Sequence, residues 1–415
     1  MTSRQAPAIL SLALAVLLAG CGARVSGEAT VSTQAARPPG PAFGTLLPVL
    51  EAAEDEARAG VTAAVVELGW GRFEPADGEF DEDFIRSVRS EIAELRAAGR
   101  TITLDLAIHY APDWLLEDPD SRLVDDRDNT EDGPNLIFNQ RVRGAALDYF
   151  RHVAEGIDLD DVQAIRLGAG WYAEVFYPDS GHYWAFDDNA QNGPDLPRSL
   201  RPNPAPGWHP GTDDLSPDRV REWADWYVGA LADVVAWQMD AWTRLGYRNA
   251  FEVMTPGSGV RPRQYEEAIR EGLPPGLLGA GGAWHVFYSK LPRDPRIIAY
   301  VSSVADRSGG NDTCTPEDRA VPLDSPAAES WSATRWISRV AREYGYPVSG
   351  ENPGWGQPGS FGDYYTDLSP RGMMASAVRQ AVDCEFVTFY WAHDRQLWDD
   401  TVPFEAFAQL VAASR

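Results

Sequence analysis

Two short stretches of the sequence each place a glutamate among aromatic and small residues, directly after an apolar segment. In GAGWYAEVFYP, positions 168–178, Glu174 follows the segment VQAIRLG, and in SGENPGWGQPG, positions 349–359, Glu351 comes directly after a glycine. A carboxylate among aromatic rings loses solvation, which is costly unless the group is paired, hydrogen-bonded or used in chemistry. Two such carboxyl groups could cleave a glycosidic bond, with one protonating the leaving oxygen and the other acting as nucleophile or activating water.

The elements that must position these glutamates alternate along the chain. Apolar runs of strand length begin near positions 43, 62, 101, 162, 250, 296, 346 and 386, and longer amphipathic or alanine-rich segments separate them. One such segment, 83–99, has apolar residues at helical spacing and ends at Gly99. This alternation predicts an α/β fold, a (β/α)8 TIM barrel with extended loops at the C-terminal face of the strands.

In a barrel of this kind the chemistry takes place at the C-terminal ends of the strands. Glu174 and Glu351 follow the fourth and seventh predicted strands, which lie on roughly opposite sides of the barrel. We therefore predict that the two carboxyl groups are catalytic and face each other across its mouth. Aromatic neighbours should raise the pKa of Glu174, as a general acid requires near neutral pH.

Other residues at the strand ends are predicted to contact the substrate. Aromatic rings pack against the C–H faces of a sugar, while carboxylates and amides hydrogen-bond to its hydroxyl groups. We expect Glu67 and Asp105 to hydrogen-bond to hydroxyl groups of the sugar, and Arg72 to pair with a carboxylate and fix its position. The predicted substrate-binding residues are Glu67, Trp70, Arg72, Asp105, His109, Trp114, Trp171, Tyr177, Asn352, Trp355, Trp391, His393, Asp394 and Arg395.

The composition of the chain restricts its partners. The formal net charge is −26, from 62 acidic and 36 basic residues, which argues against nucleic acid as a partner and favours a neutral substrate. Fifteen tryptophans are a high number for one chain, and many of them fall in loops, as expected of a carbohydrate-binding surface. We expect a carbohydrate substrate and a monomeric protein.

Two motifs after the second and third strands resemble the opening of bacterial barrel β-galactosidases and their relatives in clan A of the glycoside hydrolases. The stretch WGRFEP at positions 70–75 matches their Trp-x-Arg-x-Glu-Pro motif, and APDWL at positions 111–115 matches their Ala-Pro-x-Trp-Leu turn. The resemblance implies a barrel glycoside hydrolase with one glutamate after the fourth strand and another after the seventh.

The stretch around Glu174 is similar to the general-acid motif of β-amylases, Gly-x-Gly-x-x-Gly-Glu-x-x-Tyr-Pro. It matches at Gly168, Gly170, Glu174, Tyr177 and Pro178. The position before Glu174 is alanine, where β-amylases have glycine and the clan has asparagine, so the family stays open. The β-galactosidase likeness implies retention, with carboxyl groups about 5 Å apart, and the β-amylase likeness implies inversion, at about 6.5–9.5 Å.

The N-terminus resembles a bacterial lipoprotein signal. An apolar run of signal-peptide length ends in Leu-Ala-Gly before Cys21, and a small, polar, proline-rich segment follows. We predict a signal peptide over 1–20, a lipidated Cys21 with a flexible linker over 21–42, and a catalytic domain over 43–415. The protein would be exported and lipid-anchored on the outer face of the bacterial cell membrane.

The remaining cysteines, Cys314 and Cys384, either form a disulfide or are unrelated buried thiols, and the sequence leaves both alternatives open. No metal site is predicted, because no Cys/His cluster has the spacing of zinc ligands. The acidic stretch LVDDRDNTEDGPN is expected to be a solvated loop rather than a calcium site through Asp126, Asp128 and Asp132. No cofactor is expected.

Two alternatives to a glycoside hydrolase remain. One is a non-catalytic sugar-binding lipoprotein on a degenerate barrel, which would not need both Glu174 and Glu351. The other is a barrel enzyme that uses the same carboxylates on other polar substrates, such as a transglycosidase or a lyase.

Overall fold

The predicted (β/α)8 barrel is confirmed. The computed structural model describes residues 40–170, 174–178, 181–306, 312–354 and 361–415, so Cys21 and the predicted signal peptide lie outside the described residues. Eight parallel strands close into a barrel in the order β1-β10-β9-β8-β7-β6-β3-β2, and β4 and β5 pair separately. The strands are β1 (Ala42–Leu46), β2 (Val61–Glu67), β3 (Thr101–Asp105), β4 (Arg122–Val124), β5 (Thr130–Pro134), β6 (Val162–Leu167), β7 (Ala250–Thr255), β8 (Ile297–Val301), β9 (Val348–Glu351) and β10 (Thr388–Trp391).

The helices of the described residues cover the outside of the barrel and its loops. They are α1 (Ala53–Ala59), α2 (Trp70–Phe73), α3 (Glu82–Ala97), α4 (Asp113–Leu116), α5 (Gln140–Gly156), α6 (Asp188–Asn192), α7 (Pro217–Arg244), α8 (Pro262–Arg270), α9 (Trp284–Lys290), α10 (Ala333–Glu343), α11 (Phe361–Thr366), α12 (Met373–Asp383) and α13 (Phe404–Ala413). Among these residues, no helix combines the length and the apolar character that crossing a membrane requires.

Helix α3 shows how the sequence sets these elements. The Asp81 side chain caps its first turn by accepting hydrogen bonds from the backbone N–H groups of Asp83 and Phe84. Its apolar positions are buried against the barrel, and the chain leaves the helix through Gly99 at a φ of 87°, where glycine is favoured.

Side chains alternate between the inside of the barrel and the layer between strands and helices. Tyr300 and Tyr390 pack inside the barrel with Val65 and Met254, whereas Trp391, the neighbour of Tyr390, packs in the outer layer. This period of two follows from the pleat of each strand, and it decides which residues can reach the mouth of the barrel from within.

The acidic stretch after the third barrel strand is a β-hairpin, β4–β5, where the sequence suggested a loop, and its residues 127–130 and Asp132 are exposed to solvent as expected. Asp125 is buried in its turn and accepts hydrogen bonds from the backbone N–H groups of Arg127 (2.9 Å) and Asn129 (2.8 Å). The backbone N–H of Asp126 donates to the carbonyl of Tyr183 at 3.0 Å, which fixes the hairpin to the loop that follows β6.

The alternative left open for the two cysteines is settled in favour of a disulfide. Cys314 and Cys384 are bonded across 70 positions, with their Cα atoms 5.0 Å apart. Both residues are buried, and the bond joins the loop after β8 to the end of α12.

Candidate active site

A cavity of about 810 Å³ opens at the C-terminal ends of the barrel strands. It brings together seven of the residues that the sequence predicted for the site, and several others line it. The predicted residues are Glu67, Asp105, His109, Glu174, Glu351, Asn352 and His393. The remaining lining residues are Leu46, Leu47, Val65, Arg166, Met254, Pro256, Ser302, Ser303, Asp306, Pro353, Gly354 and Ala392.

Glu174 lies in a turn that its own backbone closes. Its carbonyl accepts hydrogen bonds from the N–H groups of Ala169 and Gly170, both at 3.1 Å, and Val175 N–H donates to the carbonyl of Met254 at 2.8 Å. Burial raises the pKa of the Glu174 carboxyl to about 8, and the negative charge of Glu351 acts in the same direction. Glu174 therefore holds its proton at neutral pH, which is the state that a general acid needs.

Ser302 and Arg166 oppose this rise in the pKa of Glu174. The Ser302 hydroxyl donates to Oε1 of Glu174, which favours the ionised carboxylate, and the positive charge of Arg166 has the same sign of effect. Ser302 follows β8 directly, so it lies at the C-terminal end of a strand, where barrels of this kind carry their functional residues.

Glu351 has a different environment from Glu174. It ends β9, and its Oε2 accepts hydrogen bonds from the Tyr300 hydroxyl at 2.7 Å and from the Arg166 guanidinium at 3.1 Å. Two donors on one oxygen, one of them positively charged, stabilise negative charge on this carboxylate and hold it in place. This arrangement fixes the orientation of the Glu351 carboxylate in the cavity wall.

Arg166 lies at the centre of a buried ionic network beneath the cavity. Its Nε donates to Glu252 at 3.4 Å, and its Nη1 lies 3.6 Å from Oδ2 of Asp105. Its guanidinium carbon lies 4.5 Å from the centre of the Tyr300 ring, within range of a cation–π contact. Arg166 therefore links the predicted second carboxylate, Glu351, to the strand-end acid Asp105.

Asp105, Glu67 and His109 line the cavity where β2 and β3 end. Glu67 and Asp105 are register partners on β2 and β3. Burial raises the pKa of Glu67 to about 7, with the charge of Asp105 adding to the rise. Burial lowers the pKa of His109, although Asp105 opposes this, so the imidazole is neutral at neutral pH. Neutral imidazole and a partly protonated carboxyl can both donate and accept hydrogen bonds, as sugar hydroxyl groups require.

His393 lines the cavity on the side of the last barrel strand. Its backbone has a φ of 63°, which is uncommon for a residue other than glycine. A Cβ at Gly354 would lie 2.3 Å from the His393 ring, so a larger residue at 354 would force this ring to shift.

Three predicted aromatic contacts are corrected by the structure, because their side chains are buried away from the cavity. Trp70 stacks on Tyr149, with ring centres 5.4 Å apart, and its Nε1 donates to Glu74 at 2.9 Å. Tyr177 donates its hydroxyl to a backbone carbonyl at 3.0 Å, and Trp391 packs in the layer between strands and helices. These residues support the loops and the fold in this structure.

Four other residues that were predicted to bind substrate also lie outside the cavity wall. Trp114 donates its Nε1 to the carbonyl of Glu74 at 3.2 Å, and the Arg72 guanidinium lies over an aromatic ring of α3 at 4.4 Å. Asp394 is fully buried and accepts a hydrogen bond from a backbone N–H, and Arg395 is exposed. Trp171 and Trp355 lie outside the described residues, so their prediction stays untested.

Tyr300, Arg166, Ser302 and Glu252 were not predicted as site residues. Arg166 and Glu252 interrupt the apolar strands VQAIRLG and AFEVM, and a charged residue inside a buried strand is a signal that was available. Ser302 directly follows an apolar strand and could have been found by the strand-end rule. Tyr300 carries no such signal, because tyrosine is common in strands.

One group of the described residues has the arrangement of a metal site, and it lies outside the cavity wall. Ligand atoms of Asp125, Asp126 and His182 lie within 4.8 Å of one another. His182 Nδ1 is 3.3 Å from Asp126 Oδ1, so the two side chains already form a pair that joins the hairpin to the loop after β6.

Comparison with solved structures confirms the predicted resemblance to barrel glycoside hydrolases at the level of the fold. The catalytic domain of the β-amylase from Paenibacillus polymyxa is similar with a TM-score of 0.59 and 14% identity, over 91% of this chain and 100% of that one. The β-galactosidase from the psychrophilic Marinomonas ef1 gives a TM-score of 0.54 and 11% identity, over 90% and 58% of the chains.

A second β-galactosidase, from the Antarctic haloarchaeon Halorubrum lacusprofundi, gives a TM-score of 0.51 and 14% identity, over 90% of this chain and 57% of that one. The chain thus spans somewhat more than half the length of either β-galactosidase. No family model matches the chain, and no curated protein matches its sequence.

Proposed function

We propose that this chain is a glycoside hydrolase in which Glu174 is the general acid and Glu351 is the carboxylate that acts as nucleophile or activates water. The observation that carries the proposal is that both glutamates line one cavity at the strand ends in different environments. Burial raises the pKa of Glu174, whereas Glu351 accepts hydrogen bonds from Tyr300 and Arg166. Hydrolysis of a glycosidic bond needs such a pair of unequal carboxyl groups.

In the first step, protonated Glu174 donates its proton to the glycosidic oxygen as the bond from this oxygen to the anomeric carbon breaks. Glu351 either removes a proton from the water that attacks the anomeric carbon, or attacks this carbon itself. In the second case, water then breaks the bond from the sugar to Glu351, and ionised Glu174 takes up the proton of this water. The Tyr300 hydroxyl and the Arg166 guanidinium keep the Glu351 carboxylate oriented throughout. After proton transfer, the Ser302 hydroxyl stabilises the negative charge that develops on Glu174.

The charges of the cavity favour a neutral sugar as substrate. Its lining includes five acidic residues, and Arg166 is its one arginine or lysine among the described residues. Arg166 is buried and already engaged with Glu351, so little positive charge is available to a uronate or a sulfated sugar. Neutral sugar units of an oligo- or polysaccharide therefore suit the charges of the cavity best.

We further propose that the enzyme is exported and tethered to the outer face of the cell membrane through Cys21. The apolar run that ends at Leu-Ala-Gly-Cys supports this location, and so does the disulfide, since such bonds persist in oxidising compartments. Mass spectrometry of the N-terminal fragment from membrane preparations tests it. A diacylglyceryl group on Cys21 is expected, and an intact residue 20–21 bond would contradict it.

The activity is tested by sugar release from a panel of glucans, galactans and mannans, using the full chain purified in detergent. The wild type should cleave at least one member, and Glu174→Gln and Glu351→Gln should each lose activity by a factor of about 100 or more. Glu405→Gln, an exposed glutamate on α13, is the matched control and should behave as the wild type. Binding of an oligosaccharide without cleavage, unchanged in both variants, would instead indicate a sugar-binding protein.

A further inference from the structure

The hydroxyl group of Tyr149 lies between the ends of two barrel strands. Tyr149 belongs to α5 and is fully buried, and its hydroxyl reaches two backbone carbonyls, that of Leu68 at 2.8 Å and that of Leu106 at 3.0 Å. These two residues directly follow Glu67 and Asp105, which end β2 and β3 and line the active-site cavity. Tyr149 therefore contacts the backbone directly behind two acids of the cavity wall.

The two carbonyl groups share the single proton of the Tyr149 hydroxyl. A hydroxyl carries one hydrogen, so it donates to one of the carbonyls at a time or to both in a bifurcated bond. Burial raises the pKa of Tyr149, and the charges of Asp105 and Glu67 act in the same direction, so the hydroxyl keeps its proton and remains a donor. The hydroxyl thus holds the ends of β2 and β3 together.

One peptide group connects Tyr149 to the side chain of Asp105. The carbonyl of Leu106 and the N–H of Ala107 belong to the same peptide group, and this N–H donates to Oδ1 of Asp105 at 2.9 Å. Because a peptide group is planar, the direction of its carbonyl fixes the direction of its N–H. The hydrogen bond from Tyr149 to the Leu106 carbonyl therefore orients the N–H that holds the Asp105 carboxylate.

The backbone at this point needs support from its surroundings. Ala107 has a φ of 43°, in the left-handed region that residues other than glycine rarely adopt, and such a conformation persists only where the surrounding structure fixes it. The Tyr149 ring is itself held in place, because it stacks on Trp70 with ring centres 5.4 Å apart and meets Phe73 edge-on at 5.2 Å. The hydroxyl therefore reaches the strand ends from a rigidly packed ring.

Asp105 lies between this peptide group and the Arg166 network. Its Oδ1 accepts from the N–H of Ala107, and its Oδ2 lies 3.6 Å from Nη1 of Arg166. A hydrogen bond from a sugar hydroxyl to this carboxylate weakens steeply when its distance or angle departs from the optimum. A shift of the peptide group 106–107 would therefore weaken the grip of Asp105 on a bound substrate.

We propose that Tyr149 is a positioning residue that acts through the peptide group 106–107 to hold the Asp105 carboxylate for a hydrogen bond to a substrate hydroxyl. Tyr149 is buried and is not among the residues that line the cavity, so it acts without touching the substrate. This inference rests on the proposed function, because it takes a sugar in the cavity as the partner of Asp105.

The test removes the Tyr149 hydroxyl and keeps its ring. For the member of the glucan, galactan and mannan panel that the wild type cleaves, Tyr149→Phe in the full chain should raise KM about tenfold, because a hydrogen bond to a charged group is weakened. The value of kcat should change less than about twofold, because a contact made equally in the substrate complex and the transition state affects KM alone.

Tyr247→Phe is the matched control. Tyr247 is also buried, and its hydroxyl donates to the carbonyl of Ala250 at 3.0 Å, at the N-terminal end of β7 and so on the opposite face of the barrel. Both variants lose one buried hydrogen bond and should have a lower Tm than the wild type. Only Tyr149→Phe should raise KM, so the comparison separates positioning from general stability.

A double variant tests whether Tyr149 acts through Asp105. Asp105→Ala lacks the carboxylate, so adding Tyr149→Phe to it should raise KM less than about twofold further. An unchanged KM in Tyr149→Phe, an equal rise in Tyr247→Phe, or a further tenfold rise in the double variant would each overturn the inference. In these cases the wild type is active, so the proposed function would stand. A wild type that cleaves no member of the panel would overturn the proposed function, and this inference with it.

Discussion

Two clusters of buried charge in this barrel are built from the same residue types but differ in their access to substrate. The Arg166 cluster (Arg166, Glu252 and Glu351) lies at the large cavity, with Arg166 and Glu351 in its wall. The Arg100 cluster (Arg100, Glu56 and Asp394) is fully buried, and none of its members lines that cavity. In each cluster, one arginine lies together with carboxyl groups inside the protein.

The Arg100 cluster shows what such a network does without access to substrate. Arg100 pairs with Glu56 and donates to the Thr45 hydroxyl at 2.8 Å, while the Trp398 indole N–H donates to Glu56 at 2.9 Å. Asp394 accepts from Val49 N–H at 2.6 Å, which ties the loop after β10 to the loop after β1. Burial raises the pKa of Asp394 to about 8, as burial does for Glu174, yet Asp394 lines no part of the cavity. A raised pKa therefore marks burial, and only its combination with an open cavity indicates catalysis.

The largest difference between the clusters should appear in activity. Arg166→Lys keeps the positive charge but cannot make all the contacts of the guanidinium at once, so Glu351 should lose its fixed orientation. We expect kcat/KM on the cleaved oligosaccharide to fall about 100-fold. Arg395→Lys, an exposed arginine outside the cavity, is the matched control. Wild-type kcat/KM in Arg166→Lys would show that this network does not serve catalysis.

A substitution in the Arg100 cluster should change the stability of the protein rather than its activity. Arg100→Met leaves the Glu56 carboxylate buried without its partner, which should lower the free energy of unfolding by about 3–5 kcal/mol. The activity per folded molecule should not change, because the cluster does not reach the cavity. Urea denaturation measures the first quantity and active-site titration the second. Arg58→Met, which breaks only exposed ion pairs, should leave stability nearly unchanged.

The pH dependence of catalysis should follow Glu174. Its pKa of about 8 means that the proton needed by the leaving group is present below this pH and is lost above it, so kcat/KM should fall on the alkaline side. Ser302→Ala removes a hydrogen bond that favours the ionised form, and this alkaline limb should then move to higher pH. Ser303→Ala, a neighbouring cavity residue, should leave the limb in place. If the alkaline fall in kcat/KM occurs at the same pH in Ser302→Ala as in the wild type, it does not report the titration of Glu174.

A change is also expected in the pH dependence of stability. An acid whose pKa is raised by folding binds more protons in the folded state, so stability from Asp394 is fully present below pH 4 and is lost as the pH rises to about 8. Asp394→Asn should remove this contribution, so that unfolding free energies measured from pH 4 to pH 8 decline less than in the wild type. If the free energy of unfolding declines equally in both proteins between pH 4 and pH 8, a group other than Asp394 causes the decline.

The fold and the strand-end carboxyls were predictable from the sequence, because both depend on local patterns. Apolar runs bounded by helical segments mark the eight strands, and Glu67, Asp105 and Glu351 are the last residues of theirs. Residues at such positions reach the mouth of the barrel whichever loop follows, so the rule selected them correctly for the cavity wall.

The sequence predicts less well whether a side chain points into the barrel or outward. Trp391 was selected for its type, but the pleat turns it outward and turns Tyr390 inward. Arg166 and Glu252 are register partners on neighbouring strands and both point into the barrel, and this pairing depends on the strand order and the register. The β4–β5 hairpin was missed because β4 has only three residues, and because β5 carries acidic residues, glycine and proline instead of an alternating apolar pattern.

The central claim, that Glu174 protonates the leaving group while Glu351 acts at the anomeric carbon, is tested most directly by changing the leaving group. Fluoride leaves with little need of a general acid, whereas a sugar alkoxide needs one. Glu174→Gln should therefore retain most of the wild-type hydrolysis of a glycosyl fluoride and lose that of the oligosaccharide, and Glu351→Gln should lose both. Equal losses on the two substrates in Glu174→Gln, or fluoride hydrolysis that survives in Glu351→Gln, would contradict the assignment.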